Sequence, residues 1–371
     1  MTTAAATKAA KATSAAAPRP SDALDAPRLL ELFRQMLVIR RFEERCMQSY
    51  MQQKIGGFCH IYIGQEAVAV GTIASLNGDD PIITAYRDHG HALARGMHPN
   101  HAMAELFGKL TGCAKGKGGS MHFFDKAHHM YGGHAIVGGQ APLGVGLAFA
   151  HHYEVEVMGT GSRKVTVCYF GDGALNQGAI HEAMNLAAIW KLPIIFVCEN
   201  NRYSMGTAIE RGTSMADDLS VKAAAYGMRF EKLDGMDVLK TYDVFKPLVD
   251  AVRDGGGPAF VDAQCYRYKG HSMSDPQKYR SKEEVSEYEA GDPIHKLTQH
   301  LVGKKLATQD ELDAIDAEAK KLATDSVKYA TESPEPGVDE LFTDVYTQPY
   351  GEPYKVGDLP IMLREGEEER P

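Results

Sequence analysis

Apolar residues recur along this chain at the spacings of helices and of buried strands. Near the start, residues from Pro27 to about Lys54 predict an amphipathic helix, whose apolar face contains Leu29, Leu32, Phe33, Met36 and Leu37. In the middle, residues 164–170 and 192–198 form nearly continuous apolar runs, and residues 179–190 between them have helical spacing. A helix between two strands that are apolar on both faces indicates a βαβ unit, so the predicted fold class is α/β with a parallel sheet.

The second half of the chain continues with the same kinds of element. Residues 259–263 predict a further strand, and Thr308 to Glu311 form a capping box that predicts the start of another helix. We find no internal repeat. We therefore expect one domain over residues 26–345, between a disordered N-terminal tail over 1–25 and a charged C-terminal tail over 346–371.

Composition and charge narrow the class of protein. The chain has 371 residues with 40 basic and 49 acidic side chains, and its net charge of −9 counts against a protein that tracks nucleic-acid phosphates. The longest uncharged run, residues 127–153, is interrupted by six glycines, so we expect no membrane span. Six cysteines without a Cys-x-x-Cys pair favour a reducing compartment over a disulfide framework. These features predict a soluble intracellular protein.

Oxygen-bearing side chains follow both strands of the predicted βαβ unit. Gly171-Asp172-Gly173 ends the first strand, 26 residues follow, and Asn200-Asn201 ends the second. The carboxyl ends of parallel strands lie at one edge of the sheet, where such folds bind ligands. Carboxylate and amide oxygens suit Mg²⁺, and the glycines let the backbone approach a diphosphate. We also expect a helix starting near Ala174 to point its positive end at this anion.

This spacing is that of the thiamine-diphosphate motif, and other segments of the chain extend the likeness. They are Gly57-Phe58-Cys59-His60, Ile83-Thr84-Ala85-Tyr86-Arg87, residues 116–122, Asn200-Asn201-Arg202-Tyr203 and residues 266–276. With them, residues 37–336 resemble the alpha subunits of heterotetrameric 2-oxo acid dehydrogenases, most of all those that act on pyruvate. The resemblance implies a thiamine-diphosphate-binding fold, of which this chain is the diphosphate-binding half.

The resemblance also implies a cofactor site that contains thiamine diphosphate and Mg²⁺. Asp172 and Asn201 would bind Mg²⁺ through their side chains, and Tyr203 through its main-chain carbonyl. The residues that would contact the organic cofactor are Gly173 and Ala174 by their backbone, Tyr86, Arg87 and His271 at the diphosphate, Ala135 to Val137 at the aminopyrimidine, and His60 near the thiazolium. His60 and His271 are the expected catalytic residues. Ala135 stands where the family usually has glycine.

Only one diphosphate motif is present, and the resemblance implies that a second subunit completes the site. The expected partners are a beta subunit, in an α₂β₂ assembly, and the lipoylated dihydrolipoyl acetyltransferase core that receives the acetyl group. Ser272 matches a serine that is phosphorylated in mitochondrial relatives, so it marks a possible regulatory loop. Lys278 and Ala208 replace two other phosphorylated serines, which favours a bacterial cytoplasmic protein without this control.

Two alternatives remain open at this point. The chain is also similar to the alpha subunits of branched-chain 2-oxo acid and acetoin dehydrogenases, whose substrates differ. A non-catalytic binding subunit with decayed cofactor ligands is the second alternative, although Asp172, Asn201, Arg87 and His271 are all present.

Three other patterns predict no site. The loop Lys115-Gly116-Lys117-Gly118 lacks the spacing and the Ser or Thr of a P-loop, so we interpret it as close backbone packing. Gly144-Val145-Gly146 lacks the third glycine of a dinucleotide fingerprint. The fifteen histidines include no His-Glu-x-x-His pattern, so no transition-metal site is expected.

Overall fold

A computed structural model describes residues 18–345 of the chain. The helices are α1 Ala26–Met51, α2 Glu66–Ile73, α3 His89–Arg95, α4 Pro99–Leu106, α5 Gln140–Glu156, α6 Gly178–Ile189, α7 Ile209–Gly212, α8 Val238–Ala251, α9 Lys282–Glu289, α10 Pro293–Gly303 and α11 Gln309–Glu332. The strands are β1 Ile82–Ala85, β2 Met130–His134, β3 Thr166–Gly171, β4 Ile194–Asn200, β5 Tyr203–Ser204, β6 Thr207–Ala208, β7 Arg229–Asp234 and β8 Ala259–Gln264. None of the helices within residues 18–345 combines the length and the hydropathy that a membrane span requires.

Six strands form one parallel sheet in the order β2-β1-β3-β4-β8-β7, and β5 and β6 form a small hairpin beside it. The predicted α/β class with a parallel sheet is confirmed. Along β3, Val167 and Tyr169 point into one hydrophobic core, while Cys168 and Phe170 point into the other. Helices therefore cover both faces of the sheet, which explains the unbroken apolar runs in the sequence.

The first core lies under α1, α2, α8, α10 and α11, and the second lies under α5 and α6. The strand order reverses direction around β1 and β3, because β2 lies on one side of this pair and β4 on the other. Open parallel sheets bind ligands beyond the carboxyl ends of their strands at such a reversal. The fold thus predicts a site where β1 and β3 end.

The predicted helix over 27–54 is confirmed as α1, and the predicted strand, helix and strand of the middle are confirmed as β3, α6 and β4. The capping box also forms: Glu311 accepts from the Thr308 N–H at 2.7 Å, and Thr308 Oγ1 accepts from the Glu311 N–H at 3.3 Å. These elements have a clear period or a clear capping signal, which is why the sequence alone predicts them.

Two boundaries differ from the sequence-based prediction. No helix starts near Ala174: a 3₁₀ turn over Asp172–Asn176 follows β3, and α6 begins only at Gly178. The N-terminal tail does not extend to residue 25, because Pro20–Ala23 form a 3₁₀ turn against α8 and the Ser21 N–H donates to Asp243 Oδ1 at 2.7 Å. The predicted C-terminal tail over 346–371 lies outside the described residues.

Candidate active site

Two adjoining cavities lie at the carboxyl ends of β1, β3 and β4. The larger cavity, of about 520 Å³, is lined in part by His60, Ala135, His271 and Ser272. The smaller cavity, of about 240 Å³, is lined by residues that include Arg87, Asp172, Asn201 and Arg267. Tyr86, Val137 and Met205 line both. The two cavities therefore form one continuous cleft at the position that the strand order predicts.

The smaller cavity brings the predicted metal ligands together. Asp172 is 3% exposed and Asn201 is 7% exposed, and both line the cavity with Tyr203. Ser204 Oγ donates to Asp172 Oδ2 at 3.2 Å, and Asn201 Nδ2 donates to Gln65 Oε1 at 3.1 Å. Burial raises the pKa of Asp172, because the low-dielectric surroundings disfavour its charged form. A cation bound in this cavity would stabilise the charged form of Asp172 and offset the cost of burying it.

Two buried guanidinium groups face the same cavity. Arg87 donates to the main-chain carbonyls of Ile61 at 2.9 Å and His271 at 2.8 Å. Arg267 is 1% exposed, and its hydrogen-bond acceptors are carbonyl, amide and hydroxyl oxygens. Within residues 18–345, neither arginine forms an ion pair with a carboxylate. Burial, together with the nearby Arg267, lowers the pKa of Arg87 to about 10.

The larger cavity brings three predicted site residues into one aromatic cluster. The ring centre of His60 lies 4.7 Å from that of Tyr86 and 5.3 Å from that of His271, and Tyr86 and His271 are 5.6 Å apart. Burial, with the charge of Arg87, lowers the pKa of His60 to about 2 and that of His271 to about 3. The Nδ1 atoms of both histidines are buried without a hydrogen-bond partner in the described structure. Both imidazoles are therefore neutral at pH 7.

Most of the remaining predicted residues line the same cleft. Gly173 and Ala174 line the smaller cavity, and a Cβ atom on Gly173 would collide with Ser204 Oγ. Ala135 lines the larger cavity, while Val137 lines both and is 44% exposed. Ile136, between them, lines neither cavity and is 77% exposed. The fold thus brings the other residues of the expected cofactor set to one cleft, although segments that are far apart in sequence contribute them.

Residues 265–280 connect β8 to the turn before α9 without helix or strand, as expected for a loop. Ser272 lies in it, is 9% exposed, and has its Oγ 2.9 Å from Ser274 Oγ. Arg280 donates to the carbonyls of Tyr268 at 2.9 Å and Lys269 at 2.7 Å. Regulation through Ser272 stays a prediction.

Sequence reasoning missed three residues of the cleft. Gln65 is wholly buried and bonds to Asn201, and Arg267 lies next to the predicted metal ligands. Glu199 also lines the smaller cavity, where its carboxylate accepts from Tyr62 Oη and lies 3.2 Å from His91 Nε2. Arg267 stands between two tyrosines in the segment 266–276, which is one of those that carry the family resemblance. These aromatic neighbours are the one signal in the sequence that the charge of Arg267 is buried.

The patterns that predicted no site have structural explanations. Gly144 and Gly146 lie inside α5, so they form no nucleotide-binding turn. The glycines around Lys115 pack closely, as interpreted from the sequence, since a Cβ atom on Gly116 would collide with the backbone of Gly108.

One buried cluster of Glu43, Cys46 and His89 has ligand-like proximity in the described residues. Its His89 already bonds to Glu43 at 3.0 Å through Nδ1 and to Ser120 Oγ at 3.0 Å through Nε2. Both ring nitrogens are thus engaged within the protein, which favours a structural network.

Comparison with known proteins extends what the geometry indicates. Residues 34–339 match the model of the dehydrogenase E1 component family. The pyruvate dehydrogenase E1 component subunit alpha of Rhizobium meliloti is 50% identical over 317 residues, which are 85% of this chain and 89% of the relative. The protein of the same name from Zymomonas mobilis is 47% identical over 328 residues, 88% of this chain and 90% of the relative. The chloroplastic subunit alpha-3 from Arabidopsis thaliana is 44% identical over 322 residues, 87% of this chain and 75% of the relative.

Proposed function

We propose a function from the premise that this chain belongs to the dehydrogenase E1 component family. The chain is the alpha subunit of a pyruvate dehydrogenase decarboxylating component that uses thiamine diphosphate and Mg²⁺. It takes part in the oxidative decarboxylation of pyruvate and in transfer of the acetyl group to lipoyl groups. The names of its relatives support pyruvate over the branched-chain and acetoin alternatives.

The pair of buried arginines without carboxylate partners is the observation that carries this proposal. Burying a guanidinium costs free energy unless an opposite charge compensates it. Arg87 and Arg267 line one cavity with the carboxylates of Asp172 and Glu199, yet within residues 18–345 neither arginine pairs directly with a carboxylate. A diphosphate that carries a divalent cation fits this arrangement, because its negative charge offsets that of the two arginines while Asp172 meets the metal. A neutral ligand would leave both guanidinium groups without a direct ionic partner.

The donor set also supports Mg²⁺ as the cation. Asp172, Asn201 and the main-chain carbonyl of Tyr203 offer hard oxygen ligands, and the described part of this cavity contributes no thiol or imidazole. Mg²⁺ prefers such oxygens together with substrate phosphates and water. These three residues would hold the metal, with Gly171 and Gly173 leaving room for the diphosphate to approach.

When bound, thiamine diphosphate supplies a nucleophilic carbon and accepts the electrons that decarboxylation releases. The larger cavity supports this chemistry with two neutral histidines. His60 and His271 each keep a buried Nδ1 atom that has no hydrogen-bond partner among residues 18–345, so each imidazole is able to accept or donate a proton there, according to its tautomer. The Tyr86 ring packs against both histidines and limits their movement.

An exposed apolar face supports a beta subunit as the partner. Phe149 and Tyr153 on α5 lie beside Ile189 and Trp190 at the end of α6, and these four side chains are 42–63% exposed. The rings of Phe149 and Trp190 are 5.4 Å apart, so the face is continuous across the two helices. Contiguous exposed apolar surface of this kind marks protein interfaces. The relatives are named as alpha subunits, which fits an α₂β₂ assembly with a lipoylated acetyltransferase core as the further partner.

Apolar side chains also surround the mouth of the larger cavity. Phe58 is 62% exposed and Met205 is 66% exposed, although both line the cavity. A partner that covers them would exclude water from the reacting atoms and complete the cavity wall. We therefore place the active site at the interface between the two subunits. The bacterial sources of the Rhizobium and Zymomonas relatives fit a cytoplasmic location in a bacterium.

The test is reconstitution of the full chain with its beta subunit. Decarboxylation is followed with an artificial electron acceptor, in the presence of thiamine diphosphate and Mg²⁺. Pyruvate, 3-methyl-2-oxobutanoate and acetoin are tested in parallel against each subunit and against the mixture. Turnover of pyruvate by the mixture alone is the expected result.

Two outcomes would contradict the proposal. Turnover by purified alpha chain without a partner would show that the active site is not shared with a beta subunit. A stable complex that binds cofactor but prefers another substrate would keep the cofactor site and overturn the assignment of pyruvate.

A further inference from the structure

We propose that Arg267 is the positioning residue that fixes the oxygen ligands of the metal site. The inference rests on the proposed function, since it assumes that Asp172, Asn201 and Tyr203 bind a divalent cation. Arg267 does not touch the reacting atoms in this role. It holds two of the three ligand oxygens in place through direct hydrogen bonds.

One nitrogen of the guanidinium bonds to both of these oxygens. Arg267 Nη1 donates to Asn201 Oδ1 at 3.2 Å and to the Tyr203 main-chain carbonyl at 3.2 Å. Each acceptor oxygen has two lone pairs, so each is able to accept from the arginine and still bind a cation. The hydrogen bonds therefore set the direction in which the remaining lone pairs point.

The amide group of Asn201 is held from both sides, which fixes its orientation. Its Nδ2 atom donates to Gln65 Oε1 at 3.1 Å, while its Oδ1 atom accepts from Arg267. A flipped amide would place two donors together at Arg267 and two acceptors together at Gln65. Gln65 is wholly buried, and its Oε1 atom also lies 3.6 Å from Cys265 Sγ. The pair thus selects the rotamer that presents oxygen to the cavity.

The other N–H groups of Arg267 tie the metal ligands to neighbouring segments. Nη2 donates to the Met205 carbonyl at 3.3 Å and to Tyr279 Oη at 3.1 Å, and Nε donates to the Lys269 carbonyl at 3.1 Å. Tyr279 Oη in turn donates to Asp275 Oδ2 at 2.7 Å, which also accepts from the His271 N–H at 2.6 Å. The guanidinium therefore connects the metal ligands with the turn that carries His271.

Lysine is unable to reproduce this arrangement. The planar guanidinium presents five donors in fixed directions, whereas an ammonium is a compact point charge on a flexible stem. A lysine at position 267 would keep the positive charge in the cavity but would lose the bond pattern to Asn201 and Tyr203. Arg267→Lys therefore tests the geometry of these hydrogen bonds while the positive charge in the cavity is kept.

The test is a titration with Mn²⁺, a probe for the Mg²⁺ site, followed by electron paramagnetic resonance. It uses the full chain in complex with its beta subunit and saturating thiamine diphosphate. Partners of metal ligands typically change metal affinity about 10–100-fold, so Arg267→Gln and Arg267→Lys should each weaken Mn²⁺ binding by about 10-fold or more. Gln65→Met acts on Asn201 from the other side and should weaken binding in the same direction.

Arg280→Lys is the matched control, because Arg280 ties the same loop together but bonds to no metal ligand. Its Mn²⁺ affinity should stay within about 2-fold of that of the unsubstituted complex, because substitutions at residues that share no bond with the metal ligands act nearly independently of them. Equal weakening in this control would show that loop loosening is the cause and would overturn the proposal. Circular dichroism confirms that each variant is folded, and if Arg267→Gln does not fold, Arg267→Lys decides.

The outcomes also separate this inference from the proposed function. If the unsubstituted complex shows no Mn²⁺ site that depends on thiamine diphosphate and on Asp172, the proposed function fails. If that site exists but the Arg267 variants bind Mn²⁺ equally well or more tightly, the proposed function stands. In that case Arg267 is a competing cation or a bystander, and the positioning role is wrong.

Discussion

Two glycine-rich turns of this chain each bring polar groups together. The two turns differ in whether a side chain of the protein occupies the space that their backbone groups border. In the turn over residues 112–119, four backbone N–H groups donate to the Glu105 carboxylate at 2.7–3.1 Å, from Ala114, Gly116, Gly118 and Gly119. Glu105 is wholly buried at the end of α4. This turn is an anion-binding nest that a side chain of the protein already occupies.

Within residues 18–345, no carboxylate from another part of the chain occupies the turn over residues 171–174 in this way. This turn borders the smaller cavity, where the carboxylate of Asp172 faces two arginines and where Gln65 Nε2 is buried without a hydrogen-bond partner in the described structure. Glycine content alone does not separate the two turns. The difference is whether a charge from the same chain satisfies the turn, and only the turn without that charge is a candidate site.

Asp172→Asn gives the largest expected effect and tests the turn at 171–174. Loss of a charged ligand should reduce metal-dependent turnover of the reconstituted enzyme by more than about 100-fold, which exceeds the effect of changing a residue that only contacts a ligand. Burial raises the pKa of Asp172, so its charge is costly without a cation, and the free energy of unfolding of the cofactor-free chain should stay equal or rise. Steady-state kinetics and urea unfolding measure the two quantities.

An outcome with full activity would show that Asp172 is not a ligand. A large loss of stability would show instead that its charge is satisfied within the protein, as that of Glu105 is. The comparison between the two turns would then fail.

How much of this arrangement the sequence predicts depends on whether the signal lies within one short segment or between segments that are far apart in the chain. The β3–α6–β4 unit has clear periods, and parallel geometry is enough to bring Asp172 and Asn201 to one edge. β1 has four residues and β2 contains two adjacent glycines, so neither gives a pattern strong enough to predict a strand.

The candidate site, like the fold, has parts that local sequence signals predict and parts that depend on contacts between distant residues. His60, Tyr86 and His271 are distant in sequence, and only resemblance to a family brought them together before the structure did. The contacts of Gln65 and Arg267 with Asn201 span 136 and 66 positions. Such pairs leave no local trace, because tertiary packing alone creates them.

Glu105→Gln gives the opposite expected result and tests the filled turn. The amide has one acceptor oxygen and adds two donors, so some of the four N–H groups become buried without a partner. Each such group costs about 1–3 kcal/mol, and we expect the free energy of unfolding to fall by about 2–5 kcal/mol. Urea unfolding measures this loss. Mn²⁺ affinity of the folded protein should stay nearly unchanged, and a selective loss of affinity would contradict the separation of the two turns.

Matched alanine substitutions sharpen the comparison at the level of the backbone. Gly116 has a φ of +78° and no room for a Cβ atom against Gly108, so Gly116→Ala should destabilise the fold by about 2–3 kcal/mol. At Gly173 the φ is not positive, and the added Cβ atom would meet Ser204 Oγ, which is able to rotate away, and Ser204 Cβ at 2.7 Å, which is not, so Gly173→Ala should cost less than Gly116→Ala. Thermal unfolding compares the two, and equal costs would contradict this account.

The smallest expected effect concerns acid and tests whether the cleft is built around neutral imidazoles. Burial lowers the pKa of His60 from 6.5 to about 2, so the unfolded chain binds a proton below pH 6.5 that the folded chain does not bind. The free energy of unfolding should therefore fall as the pH decreases from 6.5 towards 5, with a contribution from His60 of at most about 1.4 kcal/mol per pH unit. His60→Asn should reduce this slope in urea unfolding of the cofactor-free chain. An unchanged slope in His60→Asn would mean that this imidazole takes up a proton in the folded chain as well, and the neutral pair in the larger cavity would have to be abandoned.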